Sequence, residues 1–333
     1  MKKILFLTAF TGLFAETSSA QDLHFSQFFV SPMLQNPAMT GFFNGDFRAT
    51  MIVKNQWNSV TTPYKTVNGG LDIRFVKGKN YKDLLGIGMN LTSDKAGDSK
   101  FTSNNFGFNM AYNYCLDNFG MSYLSGGINI TYLNATIDYT NLVFGDQYAG
   151  NPTAENAGNT TFSAVDVSAG AQWSYIPDHS TTYSAGAAIY HANQPSVSFM
   201  GDGSSKLPYK AVVNAAGQFS LNRKIEFYPK LQASMQGTNY EILFGSFTRI
   251  DLDPSNSVTR GYAVYVGGWY RVGDAFIPVA RFDVNRLSIS FSYDVNLSKL
   301  FAVSNARGGP ELSLIMLGKI PGFTKKQVFC PRF

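Results

Sequence analysis

Along most of the chain, apolar and polar side chains alternate with a period of two residues. The run LSISFSYDV at 287–295 sets five apolar residues against three serines and an aspartate. The run VDVSAGAQWSY at 165–175 sets six apolar residues against polar residues and a glycine. Because successive side chains of a β-strand point to opposite faces, the pattern predicts strands whose two faces meet different surroundings.

Fourteen such runs follow one another from residue 47, and most of them span 10–14 residues. Strands of soluble proteins cluster near 5–6 residues, whereas a tilted strand that crosses a bilayer needs about 9–11. Length therefore favours an all-β, 14-stranded antiparallel β-barrel in an outer membrane over a soluble exported sandwich. The predicted strands are residues 47–57, 65–76, 83–93, 101–116, 121–134, 162–175, 181–192, 207–220, 223–236, 238–250, 259–272, 274–283, 286–296 and 309–318.

The two phases of these runs differ in polarity, which predicts which face meets lipid. One phase is nearly uncharged and suits hydrocarbon, while the other carries Asp, Arg, Ser, Asn, Gln and Gly and suits a lumen. Unpaired buried charges are costly, so the mixed signs predict a paired network that fills a closed lumen; a selective pore is the alternative. The inward charges are Arg48, Lys54, Asp72, Arg74, Asp166, Lys230, Glu241, Arg271, Asp294 and Glu311.

The predicted connections alternate in length. With the N-terminus in the periplasm, the outward connections include 135–161, 193–206 and 297–308, and the inward ones include the tight turns 117–120 and 221–222. Long outer loops and short periplasmic turns are typical of outer-membrane barrels. Three connections depart from this trend, at 237, 273 and 251–258.

Composition and the N-terminus narrow the class further. Residues 1–20 combine two lysines, an apolar stretch of about 12 residues and a small-residue cleavage site, which predicts a removable signal peptide and a mature chain of 333 − 20 = 313 residues. No later apolar run approaches the roughly 18 residues of a membrane helix, and no Lys/Arg cluster indicates nucleic acid. The expected parts are then a segment at 21–46, the barrel at 47–318 and a periplasmic tail at 319–333.

The chain shows little catalytic or metal-binding chemistry. Its three histidines fall in the N-terminal segment, a predicted tight turn and a strand end, and no nucleophile-elbow, zinc-protease or phosphate-loop motif occurs. The turn SDKAGD at 93–98 has too few oxygen ligands for a calcium loop. Cys115 and Cys330 are 330 − 115 = 215 residues apart and do not form a disulfide framework. We expect them to be unpaired, and a single disulfide in an oxidising compartment is the alternative. We therefore expect no enzyme, no metal and no cofactor, and a soluble surface enzyme is the least favoured class.

A series of short motifs carries a family resemblance from one end of the mature chain to the other. On this series the chain resembles the PorP/SprF family, outer-membrane proteins of the type IX secretion and gliding machinery of Bacteroidetes. The motifs are HFSQF (24–28), SP (31–32), NPAMTG (36–41), NQW (55–57), SDKAG (93–97), IDYTNLVFGDQ (137–147), HANQP (191–195), WYR (269–271), SYDVN (292–296), PEL (310–312) and CPRF (330–333).

The resemblance implies a role as well as a fold. It implies a barrel that supports secretion or surface attachment of a large adhesin-like protein through that protein's C-terminal domain, with other type IX secretion components and the lipid bilayer as partners. The chain is also distantly similar to fatty-acid transporter barrels, which share an NPA motif in an N-terminal segment inside the wall. The alternative function is therefore transport of a hydrophobic small molecule.

The segment 21–45 is irregular, apolar and almost uncharged, and it holds two prolines. We expect it to plug the barrel, with Phe29, Met33 and Leu34 as further anchors and with Pro32 and Pro37 keeping the segment extended; the alternative is a free periplasmic tail that binds a partner. Residues at the outer rim are candidates for protein docking, although Trp57 is equally well explained as an interfacial anchor. The plug and docking candidates are His24, Phe25, Gln27, Phe28, Asn36, Pro37, Gln56, Trp57, His191, Asn193, Gln194 and Pro195.

Overall fold

The computed structural model describes residues 22–56, 64–77, 82–97, 99–138, 145–148, 150, 160–178, 180–199, 201, 203, 205–252, 261–298 and 307–321. These residues form a closed barrel of fourteen strands. The strands are β1 Phe47–Gln56, β2 Tyr64–Lys77, β3 Asp83–Ala96, β4 Phe101–Cys115, β5 Ser122–Thr136, β6 Thr161–Tyr175, β7 Thr181–Tyr190, β8 Lys210–Ser220, β9 Ile225–Gln236, β10 Asn239–Asp251, β11 Tyr262–Arg271, β12 Ala275–Val284, β13 Leu287–Asn296 and β14 Arg307–Gly318.

Every strand pairs antiparallel with its neighbours in sequence, and β1 closes the wall against β14. The closing ladder runs from Phe47 opposite Gly318 to Lys54 opposite Glu311. Closure removes the free edges that lipid could not satisfy. The predicted 14-stranded antiparallel barrel is confirmed, and each strand lies within a few residues of its predicted position.

The outward phase forms an apolar band around the barrel. On β6 it runs from Val165 to Tyr175, a span of 175 − 165 + 1 = 11 residues, which matches the length a tilted strand needs to cross a bilayer. Trp173 and Tyr175 stack with parallel rings at one border of the band, and Tyr183 of β7 continues the row. Aromatic girdles of this kind mark membrane interfaces.

One side of the lumen differs from the prediction of a polar inner face. On β10, β11 and β12 the inward phase holds Phe247, Trp269 and Ile277, all of which are buried. The sequence there is apolar in both phases, so alternation alone could not assign a polar side. The prediction of a uniformly polar lumen is wrong at this wall, where an apolar core forms inside the barrel.

The described helices are short. They are α1 at Pro32–Gln35, α2 at Gly145–Tyr148, and the 3-10 turns Phe28–Val30 and Pro37–Met39. None of these helices is long and apolar enough to cross a membrane. Pro32 and Pro37 each begin a helical turn, so the prediction that they keep the segment extended is wrong. A proline suits the first helical position because its fixed φ is helical and its missing N–H has no partner there.

The barrel has two ends, which we name by the course of β1. The proximal end is where β1 begins and β14 finishes, at Phe47 and Gly318. The distal end is the opposite one, where β9 turns into β10 at Gly237 and β11 turns into β12 at Gly273.

Candidate functional site

Residues 22–46, which we call the N-terminal segment, run the length of the lumen. At the distal end, the Asp22 N–H donates to Gln236 Oε1 over 2.8 Å, at the last residue of β9. At the proximal end, the Asp46 N–H donates to the Gly318 carbonyl over 2.7 Å, at the last residue of β14. Between these points the segment is almost entirely buried. The chain therefore passes from one end of the barrel to the other before its first strand begins.

A carboxylate on β14 holds the segment near the distal end. Glu311 is fully buried and accepts the backbone N–H groups of Ser26 and Gln27 at 2.8 and 2.9 Å. Lys54 Nζ lies 3.4 Å from the same carboxylate and also donates to the His24 carbonyl at 3.1 Å. The carboxylate thus has both a cation and two oriented N–H donors, as a buried charge requires.

The side chain of Gln27 is satisfied on all sides. Its amide nitrogen donates to Ser292 Oγ and to the Glu311 carbonyl, each at 3.0 Å. Its oxygen accepts from Ser313 Oγ at 2.7 Å. A buried amide with both ends paired fixes the register of the segment against β13 and β14.

Arg271 gathers a second group of charges beside the first. Its guanidinium lies 3.1 Å from Asp294, 2.9 Å from Asp274 and 3.6 Å from Glu241. It also donates to Ser26 Oγ at 2.6 Å, and that hydroxyl donates to Asp294 at 2.8 Å. The segment is therefore built into the charge network of the wall through a serine.

A third group anchors the first described residue of the segment. The Asp22 carboxylate lies 2.8 Å from His191 Nε2 and 3.4 Å from Lys210 Nζ, and His191 Nδ1 lies 3.1 Å from Asp166. Burial opposes the charge on His191, but its bonds to Asp166 and then Asp22 outweigh burial and raise its pKa to about 9. Burial likewise opposes the charge on Asp22, but Lys210 and His191 outweigh it and hold the pKa of Asp22 below its ordinary value.

Aromatic side chains anchor the segment on the apolar wall. The Phe28 ring lies edge-on to Trp269 with centroids 5.4 Å apart, and the Phe29 ring meets Phe247 at 5.1 Å. Lys230 Nζ lies over the Phe29 ring at 5.3 Å. Such edge-to-face pairs contribute beyond the area they bury, so these two phenylalanines hold the middle of the segment against β10 and β11.

Asn36 is fully buried between β6 and β8. Its amide nitrogen donates to the Ala171 carbonyl at 3.0 Å and lies 3.2 Å from Asn214 Oδ1. Its oxygen accepts the Ala38 N–H at 3.0 Å and so caps the following turn. A Cβ at Gly170 would overlap the Asn36 oxygen, so glycine makes the space for this side chain.

Two further glycines make room for the NPAMTG stretch. A Cβ at Gly127 of β5 would lie 2.5 Å from Ala38 N and from the Pro37 carbonyl oxygen. A Cβ at Gly86 of β3 would overlap the Thr40 carbonyl. The segment therefore touches the wall with its own backbone, and the wall lacks side chains where it does so.

The proximal end closes on an arginine–aspartate pair. Arg48 forms a bidentate bond with Asp72, at 2.9 and 2.7 Å, and donates to the Met39 carbonyl at 3.2 Å. Asp72 also accepts the Gly41 N–H at 2.8 Å. Arg74 donates to the Phe43 carbonyl at 2.8 Å. A buried pair of this geometry leaves few unpaired groups.

A cavity of about 70 Å³ lies between the start of the segment and the wall. Its lining includes Asp22, His24, Lys210, Gln232 and Glu241 as well as Phe28. Ligand pockets usually measure about 300–1,000 Å³. The space is large enough for only a few water molecules.

The docking candidates predicted at the outer rim differ in their burial and in their contacts. His191 is buried against the segment and does not lie exposed on a rim. It follows the last residue of β7 and has a φ of +57°. Gln56 ends β1 and is partly buried, while Trp57 lies outside the described residues. Asn193 bonds to the backbone of β6, and the adjacent Gln194 has a φ of +44°.

Several charged residues and glycines that surround the segment were not among the residues predicted from the sequence. The salt bridges of Arg249 with Glu226 and Asp251, and of Arg281 with Asp283, extend the lumen network. Their inward phase could have been predicted locally, because Arg249 and Arg281 are each followed two residues later by an aspartate of the same phase, Asp251 and Asp283. The contacts of the wall glycines with the segment could not be predicted, since spacing alone does not show which backbone a glycine faces.

Other predicted features lie partly outside the described residues. Cys115 Sγ donates to the Asp117 carbonyl at 3.1 Å, whereas Cys330 is not described. The predicted turn at 93–98 is wrong for its first four residues, because β3 continues to Ala96. Asp94 lies in that strand and accepts from Thr66 Oγ1 at 2.6 Å. The signal peptide and most of the C-terminal tail also lie outside the described ranges.

Comparison with solved structures shows the fold. The toluene transporter TbuX of Ralstonia pickettii aligns with a TM-score of 0.50 at 10% identity, covering 86% of this chain and 92% of that chain. The monoaromatic hydrocarbon channel CymD aligns with a TM-score of 0.51 at 8% identity, covering 87% and 93%. At such low identity these likenesses concern the barrel alone. No curated protein matches the chain significantly.

Comparison with protein families is more specific. The family described as type IX secretion system membrane protein PorP/SprF matches residues 17–315, which is most of the chain. A membrane family and a closed barrel together point to the outer membrane, since barrels of this kind span that membrane. The chain belongs to the PorP/SprF family of type IX secretion system membrane proteins.

Proposed function

We propose that this chain is a non-enzymatic component of type IX secretion that binds the C-terminal domain of a large adhesin-like protein at the cell surface. The family match over residues 17–315 is the observation that carries this role. The distal end is the cell exterior in this proposal, because the long connections 137–160 and 191–209 are there. Other type IX secretion components bind from the periplasmic side.

The N-terminal segment closes the barrel in this proposal. Three charged groups hold it, around Glu311 and Arg271 near the distal end and around Asp72 near the proximal end, and two phenylalanines pack it on β10 and β11. A segment with this many buried partners opposes ion flow through the lumen. Cargo then binds to the outer surface and does not pass through the centre of the barrel.

Removing residues 22–44 tests the plug. We expect the truncated protein to form open channels in a planar bilayer, while the full-length protein stays closed. Circular dichroism of both proteins controls for the β-sheet content. A truncated barrel that is folded and still closed would show that the segment does not close the lumen.

Export of a reporter tests the secretion role. The gene is deleted in its host, and a fluorescent reporter fused to the adhesin C-terminal domain is measured at the cell surface. We expect surface reporter to be lost on deletion, restored by the full-length protein, and restored poorly by a variant whose distal residues 193–206 are replaced by a short linker. The tight proximal turn 117–120, replaced in the same way, is the matched control. Normal surface display after deletion would reject the role.

Transport of a hydrophobic small molecule is the competing function. It is favoured by the apolar wall around Trp269, but Phe28 and Phe29 already cover that wall. The nearby cavity is small and carries Asp22, His24 and Glu241 in its lining, which suits water better than hydrocarbon. Lipid bound to the purified protein, without any secreted partner, would favour transport.

A further inference from the structure

The ladder between β6 and β7 stops well before β6 does. It runs from Tyr175 opposite Tyr183 to Ala169 opposite Ile189. On its other side, β6 pairs with β5 along its whole length, out to Thr161. Because β6 has 15 residues and β7 has 10, the distal half of β6 has no strand on its β7 side among the described residues.

Where β7 has ended, the side chain of Asn193 forms the hydrogen bonds that one residue of a neighbouring strand would form with β6. Asn193 Oδ1 accepts the Val167 N–H at 3.0 Å, and Asn193 Nδ2 donates to the Val165 carbonyl at 2.7 Å. The Ala192 N–H donates to the Val167 carbonyl at 2.8 Å. A side-chain amide carries the same donor and acceptor as a peptide group, so Asn193 caps the edge as one residue of a neighbouring strand would.

The edge beyond this cap lies outside the apolar band. Phe106, Tyr132 and Val165 are paired across β4, β5 and β6, and all three are exposed apolar side chains. The next outward row towards the distal end, in the same register, consists of Asn104, Asn134 and Ser163, and the row after it of Thr102, Thr136 and Thr161.

This change from apolar to hydroxyl and amide side chains within two residues marks the border between lipid and water. The wall of β4 to β6 therefore continues into water beyond its apolar band. The end of the β6 edge is within reach of a protein at the cell surface.

The nearby hairpin reaches β6 through side chains. Ser196 and Lys206 form an isolated bridge, and Phe199 packs edge-on against Phe162 with ring centroids 4.8 Å apart. Phe162 belongs to the inward phase of β6. The described contact is thus on the lumen face, not at the main-chain groups of the edge.

We propose that the distal edge of β6 beyond the Asn193 cap, residues 161–165, accepts an extended segment of a partner polypeptide as an added β-strand. Unpaired strand edges recruit strands through main-chain hydrogen bonds, with alternate side chains setting the specificity. The outward neighbours here are Thr161, Ser163 and Val165, so the partner segment has small or β-branched side chains on that face and no proline at its paired positions. That the partner is a secreted adhesin-like protein rests on the proposed function.

Ser163 offers a substitution that acts on the β7 side of β6 alone. The N–H and carbonyl of Val167 both point to the β7 side, and Ser163 has the same phase. Ser163→Pro therefore removes a donor from the β7 side of β6 and leaves the donors of the β5 ladder in place. Ser163→Ala is the matched control, since it removes only the hydroxyl that accepts from Tyr132 and Asn134. Asn193→Ala removes the cap and exposes more edge.

The binding test uses the full-length protein in lipid nanodiscs and a fluorescent peptide of about eight alternating Thr and Val residues. We expect Ser163→Pro to weaken binding roughly tenfold and Ser163→Ala to leave it within roughly twofold. Asn193→Ala tightens binding. A peptide with proline at alternate positions binds poorly, and the bound Thr/Val peptide protects the amides of Ser163 and Val165 from hydrogen exchange.

Three results would overturn the proposal. The first is a lack of Thr/Val peptide binding to both the unsubstituted protein and Asn193→Ala at millimolar concentration. The second is equal binding to Ser163→Pro and Ser163→Ala. The third is a crosslink between two copies of Ser163→Cys that the peptide does not compete away, which would assign the edge to a second copy of this chain.

The export assay separates failure of the edge from failure of the proposed function. If gene deletion abolishes surface display and Ser163→Pro restores it fully, the secretion role stands and the edge has no part in it. If deletion leaves display unchanged, the secretion role fails, and the peptide experiment alone then decides whether the edge binds strands.

Discussion

Adjacent glycines on β5 provide a test of how the N-terminal segment sits in the lumen. Gly127 faces inward, and a Cβ there would lie 2.5 Å from Ala38 N and from the Pro37 carbonyl oxygen. Gly126 faces outward, and a Cβ there would meet nothing within 4 Å. Gly127→Ala and Gly126→Ala therefore add the same methyl group to the same strand, on opposite faces.

The difference between the two variants can be estimated from the contact distances. Ordinary contact begins at 3.4 Å, so the segment must move by 3.4 − 2.5 = 0.9 Å in Gly127→Ala. Forced repacking of this kind costs about 1–3 kcal/mol, while the strand preference for alanine over glycine is common to both variants and cancels. A difference of about 1–3 kcal/mol raises the ratio of undocked to docked segment by about 5–150-fold.

Single-channel recording in planar bilayers measures that shift. We expect Gly126→Ala to stay closed like the unsubstituted protein, and Gly127→Ala to open more often and to melt at a lower temperature. Retained β-sheet signal in circular dichroism shows that both barrels have folded. Identical open fractions and melting temperatures for the two variants would refute the close contact between β5 and the segment.

Three further predictions concern the anchors of the segment. Asn36→Ala removes a buried amide and its cap, so we expect about 1–3 kcal/mol less stability in urea unfolding; an unchanged midpoint contradicts this. Glu311→Gln leaves Lys54 buried without a carboxylate and costs about 3–5 kcal/mol, and Lys54→Met in the same chain recovers much of it; a double mutant as unstable as Glu311→Gln argues against the pair. The raised pKa of His191, about 9, means that its pairing with Asp22 stabilises fully below the ordinary pKa of 6.5 and is lost as pH rises through about 9. Hydrogen exchange at residues 22–25 should therefore accelerate between pH 7 and 10, after correction for the intrinsic rate, and His191→Gln should abolish that dependence.

Strand positions were the most predictable part of the fold. A period of two survives in strands whose faces meet lipid and lumen, as in β6 and β13, and it fixes both the strand and its orientation. The inward charges Arg48, Asp72 and Glu311 followed from the same phase. Their partners did not follow, because pairing across a closed lumen depends on register between strands that are distant in sequence.

The irregular parts were less predictable. The apolar wall around Phe247 and Trp269 was hidden because both phases of β11 are apolar, and its inner phase is covered by Phe28 and Phe29. His191 was expected at a rim, but it is buried and bonded to Asp22. Both outcomes depend on the path of the N-terminal segment. That path could not be predicted, because the segment has no regular alternation of apolar and polar residues.

The path of the N-terminal segment also dictates an order of assembly. Asp22 is anchored at one mouth and Asp46 at the other, so a cylinder already sealed between β1 and β14 would have to draw Phe28, Phe29 and Met33 through its full height. We infer that the strands assemble around a segment that already lies extended between them. Closing the ladder of Phe47–Lys54 with Glu311–Gly318 after that step would enclose the residues that precede β1.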